Sequence, residues 1–144
     1  MKNNLKVEIV KWIDGYVPLT MIREKVFIEE QKVTPQLEWD GMDEEAIHFL
    51  AYKDAKAIGC ARAIVIENYM QLGRIAVLKE YRGEGIGNNL IEKAVITAKL
   101  NQLSSIHISA QCHAIDFYKK FGFKVTSDIY LDAEIPHRDM KLEF

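Results

Sequence analysis

Between Tyr69 and Ala98 the chain passes from a strand pattern, through a loop with Gly83, Gly85 and Gly87, into a helix pattern. This junction constrains the fold more than any other feature. Tyr69 to Leu78 reads as a strand, and beyond the loop apolar residues recur as Ile86, Leu90, Ile91, Ala94, Val95 and Ala98, a helix of about four turns. Glycines there allow positive φ and place no Cβ against an approaching group. The first amides of the helix have no intrahelical acceptor and carry the positive end of its dipole. A strand, a glycine turn and a helix in that order form a cradle for phosphate.

The flanking segments extend this into a layered α/β domain. Leu5 to Val10 alternates like a strand, and Leu19, Ile22, Val26 and Phe27 put a helix over Pro18 to Glu30, with Pro18 near its first turn. Thr34 to Glu44 is acidic and reads as a loop. Ala46 to Lys53 and Ala57 to Glu67 read as strands joined by a Lys53-Asp54-Ala55-Lys56 turn. Ser105 to Ala110 reads as strand, His113 to Lys120 as helix, Phe123 to Ile129 and His137 to Phe144 as strands. The order β-α-β-β-β-α-β-α-β-β predicts an α/β fold, a mixed central sheet of about seven strands flanked by helices. At 144 residues and 49% hydrophobic, the chain suits a single domain over 1–144 with a sizeable core.

Three phosphate-binding patterns compete for the loop. A P-loop needs Lys-Ser or Lys-Thr after its last glycine, and Asn88 stands at the glycine position five residues after Gly83. A dinucleotide fingerprint matches Gly83 and Gly85 but again meets Asn88 at its last position. The pattern Arg/Gln-x-x-Gly-x-Gly/Ala is met in full by Arg82, Gly85 and Gly87. Arg82 to Gly87, preceded by Arg74-Ile75-Ala76-Val77, resembles the cofactor signature of the GNAT superfamily of N-acetyltransferases. Ser109-Ala110-Gln111 and then Ala114 to Phe123 resemble the same family's second signature, at the expected distance. Val26 to Gln31 and Ile135 to Met140 look like its ElaA-like branch.

The resemblance implies acetyl-CoA as co-substrate. Backbone groups of Ile75, Ala76 and Val77 would pair with the pantetheine arm as an added strand does. Amides from Arg82, Gly83, Glu84, Gly85, Ile86, Gly87 and Asn88 would hold the pyrophosphate, with charge from Arg82. Gln111, where many relatives carry Asn, is a further implied cofactor contact. Tyr118 stands where the family commonly places a general acid for the departing thiolate. The implied reaction is direct attack of an amine on the thioester in a ternary complex.

The acceptor side is more open. Glu29, Trp39, Arg62 and His137 are its candidates, with Glu29 and Glu30 ending the first helix and Trp39 able to cover a small substrate. Arg62 shares an apolar side with Ile58, Cys60, Ile64 and Ile66, so it must meet either an acceptor carboxylate or structural acids. His137 is the side chain best matched to proton transfer near neutrality, or a strand-start histidine bonded to backbone. His48, His107 and His113 lack metal-ligand spacing, and no metal is expected. Cys60 and Cys112 lie in apolar segments and read as core filler rather than a disulfide framework.

A net charge of −2 with mixed signs gives no pull toward nucleic acid or anionic membrane. Met1 to Val10 has no signal-peptide core, and no apolar run approaches the ~20 residues of a membrane helix. A cytoplasmic location follows as the expectation. The partners expected are a small-molecule or peptide amine and, for assembly, a homodimer. Two other readings stand beside the enzyme: a module that binds acyl-CoA without turnover, and acyl transfer in signal synthesis.

Overall fold

The structure is a computed structural model that describes residues 4–144; Met1 to Asn3 of the N-terminal stretch lie outside the described residues. Its eight strands form one sheet: β1 (Leu5–Val10), β2 (Ile47–Lys53), β3 (Lys56–Ile66), β4 (Tyr69–Val77), β5 (Ser105–Gln111), β6 (Lys124–Val125), β7 (Tyr130–Asp132) and β8 (Ile135–Glu143). They are ordered β1-β2-β3-β4-β5-β8-β6, with β7 hairpinned onto β8. All pairings are antiparallel except β4 with β5. The helices are α1 (Trp12–Arg23), α2 (Pro35–Glu38), α3 (Ile86–Leu100) and α4 (Ile115–Lys119). In β2, His48, Phe49, Leu50 and Ala51 are buried in succession, so both faces of the sheet are covered there. Trp12 of α1 meets His48 on one face, and Ile86 of α3 meets Gly59 on the other. No helix among the described residues is long and apolar enough to cross a membrane.

Three elements differ from the sequence reading. The first helix begins at Trp12, so Pro18 lies inside it, and it continues as a π-helical turn over Glu24–Glu30. Exposed Ile13 and Val17 had blurred the helical period. Gly15 allows the early start, because a Cβ there would come within 2.7 Å of Val10 Cγ2. The acidic loop contains α2, with Pro35 at its first turn. The strand expected over Phe123 to Ile129 shrinks to Lys124–Val125, and a separate hairpin forms from β7 and β8. Its turn residues Ala133 and Glu134 have φ of 53° and 63°, a left-handed turn without the usual Gly or Asn signal.

One feature of the sheet positions the site. β4 pairs with β5 only from Tyr69 with Ser105 to Leu72 with Ile108. Beyond that, β4 stays with β3 and β5 stays with β8. The β3–β4 ladder also shifts register between Cys60 and Arg62, where Arg74 takes a φ of 50°. Such a bulge bends its strand. The two central strands diverge and leave backbone of Gly73 to Val77 unpaired toward β5.

Candidate active site

The glycine loop lies at the end of β4 and opens α3. Gly83 and Gly85 have φ of +83° and +84°, and a Cβ on either would meet nothing within 4 Å. The turn thus combines a left-handed backbone with open space above it. Gly85 caps α3. The first amides of α3 point into that space without helical acceptors. Gly87 has a different role: a Cβ there would lie 3.3 Å from Phe117 Cζ, so its absence lets α3 and α4 approach.

The loop's charged side chains are paired. Arg82 donates to both carboxylate oxygens of Glu30, at 2.6 and 2.7 Å, and to the Val77 carbonyl at 2.9 Å. The Arg82 hydrogen bond holds the Glu30 carboxyl below its ordinary value. Lys53 donates to Glu84 at 2.6 Å. Arg82 is therefore beside the cradle but tied to the segment that ends the first helix.

Where β4 and β5 part lies a cavity of about 290 Å³. Gly73, Arg74 and Ile75 line one side, and Ile108, Ser109 and Gln111 the other. Tyr118, Arg62 and His137 reach the same cavity, so it gathers five of the residues singled out from sequence: Ile75, Gln111, Tyr118, Arg62 and His137. Tyr118 is 8% exposed, and burial pushes its phenol up to about 12, so it keeps its proton throughout the neutral range. Gln111 donates to Gln31 at 2.8 Å, and its carbonyl oxygen takes a hydrogen bond from His113 Nε2 at 2.7 Å.

Arg62 resolves toward the second of its two readings. It bonds Asp40 at 2.9 Å through both Nη atoms and Asp43 at 3.1 Å. These pairs belong to a larger cluster. Arg23, 1% exposed, donates to Glu38 and Asp43 at 2.7 Å each, and Arg74 donates to Glu38 and Asp40 at 3.1 Å. Three guanidiniums and three carboxylates thereby strap α2 and the following loop onto β3 and β4. Burial raises the Asp40 carboxyl, but bonds from Arg62 and the Met42 amide, with the charges of Arg62 and Arg74, hold it at about 2. Asp43 is likewise lowered against its burial by Arg23 and Arg62.

The remaining sequence candidates lie outside the cavity. Trp39 covers the Arg23 guanidinium at 4.8 Å, and Glu29 is exposed on the π-helical turn. Cys60 is sealed in the core, where burial pushes its thiol up to about 12. The sequence reading gives no site role to Arg74, Ser109 or Asp132, all of which line the cavity; Gln31 and Glu38, which also line it, fall in the Val26 to Asp40 region expected to form the acceptor site, though neither stands out singly. For Gln31 a signal existed in its place at the end of the Val26 to Gln31 resemblance. Arg74 and Asp132 enter through a bulge and a hairpin that leave no mark in local sequence.

The whole arrangement is one seen in known proteins. An acetyltransferase (GNAT) domain family model matches residues 18–144. The uncharacterised N-acetyltransferase YjcF of Bacillus subtilis is 37% identical over 120 residues, covering 83% of this chain and 86% of that protein. An acyl-CoA N-acyltransferase from Pseudomonas aeruginosa superimposes with a TM-score of 0.86 at 29% identity, over 96% of this chain and 99% of that one. Escherichia coli ElaA does so with a TM-score of 0.87 at 26% identity, over the same shares. With its split sheet and glycine cradle, the chain belongs to the GNAT acetyltransferase family.

Proposed function

We propose that this protein transfers an acetyl group from acetyl-CoA to the amine of a small molecule or peptide, by direct attack while both are bound. One observation carries the reading: β4 and β5 pair only as far as Leu72 with Ile108, a cavity lined by Tyr118 lies where they part, and β4 runs on toward the glycine turn that opens α3. A donor with a pyrophosphate and an extended arm matches such a path. The pyrophosphate would take the amides from Arg82 to Asn88, and the arm would pair with free backbone of Ile75, Ala76 and Val77 as an added strand. The open positions above Gly83 and Gly85 leave room for the phosphates. The thioester would then lie by Tyr118, and the amine would enter from the cavity. About 290 Å³ suits a small acceptor group.

Tyr118 acts on the sulfur. A thiol ordinarily has a pKa near 8.5, well below this phenol, so Tyr118 serves as a hydrogen-bond donor that stabilises the departing thiolate.

The reading is tested by thermal unfolding with acetyl-CoA. At a hundred times Kd, a ligand adds about 2.7 kcal/mol. Unfolding entropy of about 2.1 cal/mol/K per residue gives about 0.3 kcal/mol/K for 144 residues, so Tm should rise by about 9 °C. Gly85→Asp puts a carboxylate in the cradle and should abolish the rise. Release of CoA with a panel of amines separates an enzyme from a module that only binds. No rise in Tm, or an equal rise in Gly85→Asp, overturns the proposed donor site.

A further inference from the structure

Transfer to an amine needs a group that takes the amine's proton, and the carboxylates lining the cavity are poorly suited to it. Glu38 is held by Arg23 and Arg74, and Asp132 is exposed on β7. His137 is in a different situation. It lies on β8, opposite Gln111 of β5 and Tyr130 of β7, is 7% exposed, and lines the cavity. Its Nδ1 is 2.6 Å from the Ile135 carbonyl oxygen. A carbonyl only accepts, so Nδ1 carries the proton and Nε2 carries the lone pair. Among the described residues Nε2 has no hydrogen-bond partner, and it is not one of the atoms sealed from solvent.

The ring is held in place from its other side. Tyr130 stacks on it with centroids 6.0 Å apart and planes within 21°. The Tyr130 hydroxyl donates to Asp139, so the Ser109 hydroxyl must donate to Tyr130. Tyr130 is thereby fixed by groups of β5 and β8, and it in turn fixes the imidazole plane. A histidine locked in one tautomer, braced by a bonded aromatic ring and opening to a cavity, is arranged as an acceptor of protons.

We propose that His137 Nε2 is the general base of the transfer, with Tyr130 as its positioning residue; this rests on the acyl-CoA reading above. The amine lone pair forms the C–N bond and the C–S electron pair leaves with sulfur, which is hydrogen-bonded by Tyr118. The proton lost by the amine goes to His137 Nε2 and thence through solvent to the thiolate. Amine and thioester become amide and thiol, with His137 and Tyr118 restored.

Charged and titratable groups face the imidazole from every element packed on it. From β7 come Tyr130 and Asp132; from α4 and the turn before it, Tyr118 and His113. Across the cavity, Arg62, Arg74 and Glu38 are ion-paired. Both tyrosines are pushed up by burial, Tyr130 also by its bond to Asp139. Two imidazoles line the cavity, those of His137 and His113, and variants distinguish their roles.

The test measures CoA release from acetyl-CoA with a panel of primary amines, and with water alone as acceptor, from pH 5 to 9. His137→Asn should lower kcat by about 10²-fold or more, leave KM for acetyl-CoA unchanged, and remove the acidic limb of the kcat profile. His113→Gln should keep that limb. A limb that persists in His137→Asn, or disappears in His113→Gln, overturns the assignment. If His137→Asn does not fold, long-range proton–nitrogen NMR of the wild-type protein reads the tautomer directly, and a protonated Nε2 at pH 8 overturns it. A wild-type protein that binds acetyl-CoA yet releases no CoA with any amine or with water refutes the transferase reading itself, and the base with it.

Discussion

Replacing Arg23 with methionine tests whether the ion cluster is what holds α2 against the sheet. Methionine keeps the apolar stem between Trp12 and Trp39 but removes bonds to Glu38 and Asp43, each 2.7 Å long. Glu38 is 3% exposed and would retain Arg74 at 3.1 Å, while Asp43 would retain Arg62 at 3.1 Å. Breaking a buried pair from one side costs about 3–5 kcal/mol, and the remaining partners place this case near about 3. At about 0.3 kcal/mol/K of unfolding entropy, Tm should fall by about 10 °C. Circular dichroism at pH 7.5 reads it. Acid supplies a second check. In the native protein Asp43 and Asp40 are lowered, Asp40 from 3.8 to about 2, so their contribution is complete above pH about 4 and is lost toward pH 2. Without Arg23, the Asp43 carboxyl loses a hydrogen bond and a charge that lower it, and takes up a proton at higher pH than in the native protein. The Tm deficit should therefore shrink as the pH falls from 7 to 4.5. A drop under about 3 °C at pH 7.5, or a deficit that widens with acid, refutes the reasoning. The cluster contains no residue of the Arg82–Asn88 loop, so the Tm rise with acetyl-CoA should survive.

Two further outcomes follow from the site. Tyr118→Phe should lower kcat by about 10²-fold with little change in acetyl-CoA Kd, because the hydroxyl meets charge that develops only as the C–S bond breaks; steady-state kinetics with calorimetry checks this, and native turnover would make Tyr118 structural. Glu30→Gln removes a carboxylate from beside the cradle and frees Arg82, and since the pair is roughly 40% exposed its competition is worth about 1 kcal/mol at most. Acetyl-CoA should then bind up to about fivefold tighter in calorimetry at low salt, and a weaker Kd would show that Glu30 instead holds Arg82 ready.

The features legible in the residue order are local and backbone-borne. The strand, glycine turn and helix from Tyr69 to Ala98 are legible because left-handed φ and a helix start impose residue types within a few positions, and Gly83 and Gly85 adopt those conformations. The strand-like runs of β2 and β3 and the apolar stripe of α3 were readable for the same reason, since each lies within one element. The early start of α1 was not, because Gly15 is explained by its contact with Val10 rather than by any helical rule. The lining of the cavity, by contrast, depends on contacts between distant segments. Arg62 stood out in sequence as a charge on an apolar side, but its partners are Asp40 and Asp43, 22 and 19 residues away. His137 was visible as a histidine; that its Nδ1 is committed to the Ile135 carbonyl while the residue lines the cavity follows from a hairpin whose turn carries no Gly or Asn. Trp39 lies over Arg23 instead of the cavity because a buried guanidinium needs a covered face as well as carboxylates. Local rules write the cradle into adjacent residues, whereas the cavity is assembled from strands that meet only when the sheet forms and then divides at Leu72 and Ile108.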